Sequence, residues 1–228
     1  DCVIAGNRIG VPQEGDPSAQ LGFGAGMFCR RSSVRIQKSS VIGNTLDYRT
    51  SGRDALARDS IAYAVQGIAE PGEPLKRSSR IDPDGFAQSD DADPEARGGG
   101  LYLEECSVEI AGSTIQANAV YCEGMARGGG IWCERSRMRM WRSRVTDNHI
   151  QSAASEGAGI YFKCPLASEL GGSVITGNGS AEGRGGGIFV EGEAAKVAIH
   201  RNSAIRQNHP DDIYPIVERL RPSAVRSP

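Results

Sequence analysis

One short pattern recurs along the chain at a nearly constant distance. A glycine cluster opens each unit and a single asparagine closes it, as in GGGIWCERSRMRMWRSRVTDN at 128–148. The last four closing asparagines are 30 residues apart: Asn118, Asn148, Asn178 and Asn208. An internal period of about 20 to 50 residues is typical of solenoids, propellers and arrays. The chain is therefore expected to fold as stacked copies of one supersecondary unit.

Within each unit the apolar residues alternate. The triplets that follow the glycine clusters are MFC, LYL, IWC, IYF and IFV, and two further alternating pieces follow each triplet. In the unit that closes at Asn118, for example, these pieces contain Val108 with Ile110 and then Ile115. A period of two indicates strands, and none of these pieces repeats apolar residues at three and four. The pattern predicts an all-β parallel β-helix of about five coils, with three strands per coil and one long loop insertion.

Equivalent polar residues should stack between coils. The closing asparagines are expected to form one ladder of amides, each bonded to the coils above and below. Its members are Asn7, Asn44, Asn118, Asn148, Asn178 and Asn208. Serines five positions earlier should form a second line: Ser39, Ser113, Ser143, Ser173 and Ser203.

These repeats resemble those of right-handed parallel β-helices in bacterial secreted and surface proteins, and most closely the polymorphic outer-membrane-protein-like repeats. The resemblance lies in the glycine opening and the closing asparagine, although Ile or Val stands three residues before the Asn where that family has Phe. It covers the chain apart from 45–97 and the residues after 214. It implies a right-handed helix and a location that is extracellular or on the outer surface of a bacterium. Leucine-rich repeats, which also carry an Asn ladder, are disfavoured because this chain has only nine Leu.

The repeat also predicts the domain organisation. The β-helix is expected over 1–214, with an insertion, 45–97, leaving one corner, and 215–228 as a C-terminal cap and tail. The middle of the insertion could hold a short helix. The opening DCVIAGN matches the third strand of a coil, so the chain is expected to begin inside one.

Catalytic and metal-binding patterns are weak. Glycosidases need two carboxylates at one cleft, whereas the repeats carry scattered Glu, and the acidic runs Asp90, Asp91, Asp93 and Asp211, Asp212 lie in the insertion and the cap. His149, His200 and His209 lack zinc spacing, and there is no CxxC pair. Cys106, Cys122 and Cys164 lie near corners, where a disulfide could form in an exported protein, and the sequence assigns no pair. We therefore expect no metal site and no cofactor.

The whole-chain charge limits the partners. A net charge of −2 gives no indication of nucleic-acid binding, and no apolar run approaches the roughly 20 residues of a membrane helix. The remaining expectation is a non-catalytic secreted or surface scaffold, adhesin-like, with a polysaccharide or a surface protein as partner. A polysaccharide lyase or glycoside hydrolase of the β-helix class is the alternative.

A candidate binding strip follows from the alternation. The middle residue of each triplet should point outward, so five aromatic side chains should form one outer column: Phe28, Tyr102, Trp132, Tyr161 and Phe189. A charged column should lie beside it: Arg30, Glu104, Glu134, Lys163 and Glu191. An exposed strip of this length would suit an extended glycan. The competing expectation is that the corner segments, above all 45–97, fold over the column and bury it.

Overall fold

Five parallel sheets run along the described part of the molecule. The structure is a computed structural model that describes residues 2–9, 21–48, 95–181, 183–215 and 219–220. Strands of successive coils pair side by side, and every pairing is parallel. The fold is therefore an all-β parallel β-helix, as the repeat predicts.

We number the sheets S1 to S5 in the order in which a coil passes through them after its glycine cluster. S1 contains Met27–Arg30, Leu101–Glu104, Ile131–Glu134, Ile160–Lys163, Ile188–Glu191 and Ile213–Tyr214. S2 contains Ser33–Gln37, Ser107–Ala111, Arg137–Trp141, Ser168–Gly171, Val197–His200 and Arg219–Leu220. S3 contains Val3–Ala5, Ser40–Ile42, Thr114–Gln116, Arg144–Thr146, Val174–Thr176 and Ala204–Arg206.

The other two sheets are smaller. S4 contains Arg8–Ile9, Thr45–Tyr48, Ala119–Cys122, His149–Gln151 and Gly179–Ser180. S5 contains Leu21–Phe23, Glu95–Arg97, Met125–Arg127 and Ala154–Glu156. Helical structure within the described residues is limited to one 3-10 turn, Ala194–Lys196, so the helix or turn segment that a leucine-rich repeat needs in each unit is not seen there.

The expectation of three strands per coil is wrong, because S4 and S5 add two. The extra strands occupy 119–127 and 149–156, between a closing asparagine and the next glycine cluster. Their inward residues are few and often small, such as Val120, Ala126 and Ile150, so alternation over two or three positions is too short to stand out. The insertion is also shorter than 45–97, because its ends belong to S4 and S5. Its middle, its acidic run and most of 215–228 lie outside the described residues.

Two cores lie side by side in each coil. S1, S2 and S3 enclose the larger one, to which Ile131, Met138, Met140 and Val145 contribute fully buried side chains. The alternation that predicted these residues to point inward is confirmed. S4 and S5 enclose the smaller one, built from residues such as Leu46, Val120 and Ala126.

The Asn ladder follows the junction between S3 and S4. The backbone N and Nδ2 of Asn118 both donate to Oδ1 of Asn148, at 3.0 and 2.9 Å, and Nδ2 of Asn148 also donates to the Ile115 carbonyl at 3.1 Å. The ladder ends at Asp212, whose Oδ1 accepts from N and Nδ2 of Asn208 at 3.1 and 3.0 Å. Asp212 thus takes the place of the next Asn in the ladder.

The serine line is confirmed as well. The backbone N–H of each serine from Ser39 to Ser173 donates to the hydroxyl of the serine in the next coil, for instance from Ser113 to Ser143 at 3.2 Å. The hydroxyl itself donates within its own bend, from Ser143 to the Trp141 carbonyl at 2.8 Å. These side chains satisfy buried backbone groups at the bends, where no strand pairing is available.

Candidate functional site

The glycine corner brings S5 against the outer side of S1. The first glycine of a cluster has a left-handed backbone, with φ +66° at Gly128. The third glycine packs against the ladder, and a Cβ on Gly130 would lie 2.6 Å from the Gly159 carbonyl oxygen and 2.9 Å from Asn148 Nδ2. The middle position accepts a methyl group, since Ala25 and Ala158 occupy it. The first and third glycines therefore allow the sharp turn that leads from S5 into S1.

The predicted aromatic column forms on S1. Neighbouring rings are stacked nearly parallel, and their centroids are 4.8, 6.0, 4.6 and 5.2 Å apart from Phe28 through Tyr102, Trp132 and Tyr161 to Phe189. Tyr214 continues the column at 5.5 Å from Phe189. The in-register pairing of the S1 strands places these side chains one above the other.

Side chains of S5 cover the column. The guanidinium carbon of Arg97 lies 4.8 Å from the Trp132 ring centroid, and that of Arg127 lies 5.6 Å from the Tyr161 centroid. Glu95 binds Arg97 through two hydrogen bonds of 2.9 and 2.5 Å and also pairs with Arg127. Cations over aromatic faces stabilise more strongly when water is excluded, so the cover and the column support each other.

An exposed binding strip is not what the structure shows. Trp132 and Tyr161 are 0% exposed and Tyr102 is 1% exposed, so an extended ligand cannot lie along the middle of the column. The expectation of exposure is corrected in favour of the competing one, but the cover comes from S5 strands. The recurring Arg directly before the glycine cluster, at Arg97, Arg127 and Arg184, was the signal in the sequence for this cover.

The charged column beside the aromatic rings is buried at Glu104 and Glu134, half-buried at Arg30 and Lys163, and exposed at Glu191. Glu104 and Glu134 are 3% and 2% exposed and lie in register on neighbouring strands. Arg135 bridges them, at 2.6 Å from Glu104 and in contact with Glu134. Arg30 lies 3.3 Å from Glu104, and Lys163 lies 3.8 Å from Glu134. Oε2 of Glu134 has no hydrogen-bond partner among the described residues.

Two tyrosine hydroxyls join the aromatic and charged columns. Tyr102 donates to Oε2 of Glu104 at 3.3 Å, and Tyr161 donates to Glu191. Burial, reinforced by the Glu104 carboxylate, raises the pKa of Tyr102. Burial and the hydrogen bond to Glu191 raise the pKa of Tyr161. Both phenols therefore stay protonated and act as donors over the ordinary pH range.

Two of the three corner cysteines, Cys106 and Cys164, are free thiols, the first buried and the second exposed. Cys122 is buried. Burial raises the pKa of the Cys29 thiol to about 11 and also raises that of Cys133. Buried thiols with raised pKa values behave as small apolar side chains.

Metal and membrane features were also sought within the described ranges. No group of three or more His, Cys, Asp or Glu side chains there has a geometry that could hold a metal ion. Nor does any helix in the described part of the chain have the length and apolarity needed to cross a bilayer.

A second surface, which the sequence pattern did not single out, lies on the outside of S2 and S3. Four arginines of one coil are exposed there: Arg137, Arg139, Arg142 and Arg144. Along S2, side chains of alternating charge lie in register, namely Arg35, Glu109, Arg139 and Glu169, and Arg35 pairs with Glu109 at 2.8 Å. We call the outer side of these two sheets and the bend between them the basic face.

Trp141 is the large aromatic side chain of this basic face. It lies in register with Gly171 of the next coil, and a Cβ on Gly171 would be 1.8 Å from Cζ3 of the indole. The ring therefore rests directly on the glycine backbone. His200 lies beside it, with ring centroids 5.1 Å apart and a tilt of 44°. Trp141 is only half-buried, so this ring, unlike Trp132, remains accessible.

Comparisons with known proteins identified no relative of the chain. Neither a family model, nor a curated protein, nor a solved structure matches the chain.

Proposed function

We propose that the chain is a non-catalytic β-helix scaffold that binds an extended glycan or a surface partner along its basic face. The observation that carries the proposal is the contrast between two outer sides of one rigid stack. The outer side of S1 is sealed by Arg97 and Arg127, whereas S2 presents Trp141 and exposed arginines. Flat sheets supported by amide and hydroxyl ladders give such a face little freedom to lose on binding.

The state of the carboxylates supports a role without catalysis. A glycosidase uses two carboxyl groups that both reach the substrate. Glu104 and Glu134 are instead buried and bridged by Arg135, so a sugar could not approach them without breaking ion pairs. The repeat pattern adds the proposal that the protein is secreted or displayed on a bacterial surface, like the polymorphic outer-membrane-protein-like repeats that it resembles.

A polysaccharide lyase or glycoside hydrolase is the second candidate. One observation favours it: Glu104 and Glu134 lie on adjacent strands and converge with Arg135 and Lys163 on one side of S1. Acidic and basic groups in that arrangement are what proton abstraction from a sugar would need.

The two candidates differ in what happens to a bound polymer. Purified protein is incubated with neutral and acidic polysaccharides, binding is measured by biolayer interferometry, and polymer length by size-exclusion chromatography with light scattering. The scaffold predicts binding with unchanged polymer length. Shortening of a polymer that is abolished in Glu134→Gln and retained in Trp141→Ala would overturn the scaffold in favour of the enzyme.

A further inference from the structure

The basic face concentrates positive charge in a chain that is slightly acidic overall. In five successive coils, the segments that contribute a strand to both S2 and S3, with the bend between them, are 33–42, 107–116, 137–146, 168–176 and 197–206. They contain eight Lys and Arg and two Glu, an excess of six positive charges, whereas the whole chain carries −2. The rest of the chain therefore carries a net charge of −8, from −2 for the whole chain less +6 for these segments.

Much of this positive charge is not neutralised within the protein. Of the two glutamates, Glu109 is already bound by Arg35. Four exposed arginines have no carboxylate within ion-pair distance in the part of the chain that the structure describes: Arg137, Arg139, Arg142 and Arg144. In the same coil Arg135 binds three carboxylates on the other side of the bend. Of the five arginines in this stretch, Arg135 therefore has a structural role and the other four are free to bind a ligand.

The spacing of these groups suits an extended anion. Alternate residues of a strand lie about 6.6 Å apart, and neighbouring coils lie about 4.8 Å apart. Arg137, Arg139 and Trp141 follow one strand of S2, and Arg142 and Arg144 continue around the bend into S3. Guanidinium groups bind carboxylates and sulfates through paired, charge-assisted hydrogen bonds.

Trp141 gives the basic face one side chain that can contact an apolar surface of a ligand. Its ring is held by Gly171 on one side and flanked by His200. An aromatic ring with an accessible face offers apolar contact to the C–H face of a sugar ring. On the neighbouring coil, Ser107 and Thr114 lie in register with Arg137 and Arg144, where their hydroxyls can hydrogen-bond a sugar.

We infer that the basic face binds an acidic polysaccharide, with the four free arginines contacting its carboxylate or sulfate groups and Trp141 stacking on one sugar ring. This inference rests on the proposed scaffold function and names its ligand class. Nucleic acid fits the face less well. Single strands are usually bound by several stacking aromatics, and the face has one Trp, while a flat sheet has no element that enters a groove of a duplex.

The test measures binding of the full chain to polygalacturonate, dextran sulfate, neutral dextran and single-stranded DNA of matched length. We expect both acidic polysaccharides to bind, neutral dextran not to bind measurably, and DNA to bind more weakly than either. Stronger response to polygalacturonate assigns carboxylates as the preferred anion, and stronger response to dextran sulfate assigns sulfates. Binding should weaken with added salt because the contacts are electrostatic.

Variants then locate the site. Removing one free arginine, in Arg142→Gln, should weaken binding about five-fold, since an exposed charge contact contributes little more than that. Trp141→Ala should weaken it about tenfold. The matched control is Arg8→Gln, which removes an exposed arginine of S4 that pairs with Asp47 at 2.8 Å, and it should leave affinity unchanged.

Failure of this inference is distinguishable from failure of the scaffold function. Neutral dextran binding that depends on Trp141 but not on Arg142, or tighter binding of DNA, would overturn the acidic ligand and leave a binding scaffold. Equal loss in Arg8→Gln and Arg142→Gln would show non-specific charge attraction and would also overturn it. Shortening of a bound polysaccharide would instead contradict the non-catalytic function itself.

Discussion

The outer sides of S1 and S2 arise from the same sequence pattern, but one is buried and the other is exposed to solvent. Both sheets alternate inward apolar residues with outward polar or aromatic ones, and each carries one of the two tryptophans in the chain. On S1, Trp132 is fully buried beneath Arg97. On S2, Trp141 is half-buried and lies beside arginines that have no carboxylate partner among the described residues. Alternation decides which side of a sheet a residue faces, but only the path of the neighbouring chain decides whether that side meets water.

The glycine corner is the physical origin of this difference. It turns the chain from S5 into S1 so sharply that outward residues of the two sheets meet, and acidic and basic side chains there are mutually paired. The bend between S2 and S3 carries residues such as Lys38 and Arg142 and leaves both sheets exposed. The outer side of S1 is therefore covered by side chains of S5, and the outer side of S2 and S3 remains available for a partner.

Truncating the two tryptophans should have the largest effect on this comparison. Trp132→Ala removes a buried ring stacked between Tyr102 and Tyr161 and should lower the free energy of unfolding by about 4 kcal/mol. Trp141→Ala should lower it by about 1 kcal/mol, because its ring is already half in water. Urea unfolding followed by circular dichroism measures both. Similar losses in the two variants would mean that S1 and S2 are covered alike.

A methyl group placed at the glycine corner should have the next largest effect. Gly130→Ala puts a Cβ against the Gly159 carbonyl oxygen and Asn148, and should cost about 3 kcal/mol by overpacking. Gly129→Ala is the matched control. Its Cβ would also approach a carbonyl oxygen, that of Ala158 at 2.5 Å, but it lies away from the Asn ladder. Because Ala158 shows that a neighbouring coil holds a methyl group at this position, the change should cost less than Gly130→Ala. Thermal unfolding of the two variants compares them. A greater loss at position 129 would contradict the assigned roles of the glycines.

Interrupting the Asn ladder should have an intermediate effect. Asn148→Ala removes the Oδ1 that accepts from both N and Nδ2 of Asn118, and leaving buried donors unsatisfied should cost about 2 kcal/mol. Asn202→Ala removes an exposed amide that accepts from the Gly172 N–H at 3.0 Å, and should change stability by less than about 0.5 kcal/mol. Chemical denaturation measures the difference. Equal values would show that the ladder adds nothing beyond an ordinary surface contact.

The smallest expected effect is a pH dependence of the cover over S1. Burial acts to raise the pKa of Glu95, but its hydrogen bonds and charge interactions with Arg97 and Arg127 outweigh burial and hold that pKa below its usual value. A carboxyl group with a lowered folded-state pKa stabilises the fold above its unfolded pKa of about 4.3. That contribution is lost as pH falls through the folded value.

Glu95→Gln tests this contribution. The variant should lose stability at neutral pH and should show a shallower decline than the wild type between neutral pH and acid. Stability measured by urea unfolding across that range gives both slopes, and Glu109→Gln on S2 serves as the exposed control. A steeper decline in Glu95→Gln would contradict the assigned sign.

The inward residues and the ladders could be predicted from sequence because equivalent residues recur in several units of the repeat. Val145, Met138 and Asn148 each have equivalents at the same position in other units, so their shared chemistry is visible without coordinates. The S4 and S5 strands could not be recognised in this way, since Ala126 and Val120 give too little apolar signal. The cover over Trp132 depends on Arg97, which is distant in sequence and becomes adjacent only when the coils stack.

The basic face escaped prediction for a different reason. The net charge of the whole chain is close to zero, because acidic residues elsewhere balance the arginines of 137–144. The excess becomes visible only when charge is summed over the segments that form S2, S3 and the bend between them. Burial of the aromatic column was one of two open expectations, and alternation alone offered no basis for choosing between them.

Acrylamide quenching of tryptophan fluorescence tests the central claim most directly. In Trp141→Phe, the remaining emission comes from Trp132, which the structure buries completely. The account predicts blue-shifted emission with very weak quenching in this variant and substantial quenching in the wild type, where Trp141 contributes. Strong quenching of Trp132 in Trp141→Phe, at a pH and temperature where circular dichroism shows a folded protein, would contradict the sealed column and the division of the two outer sides.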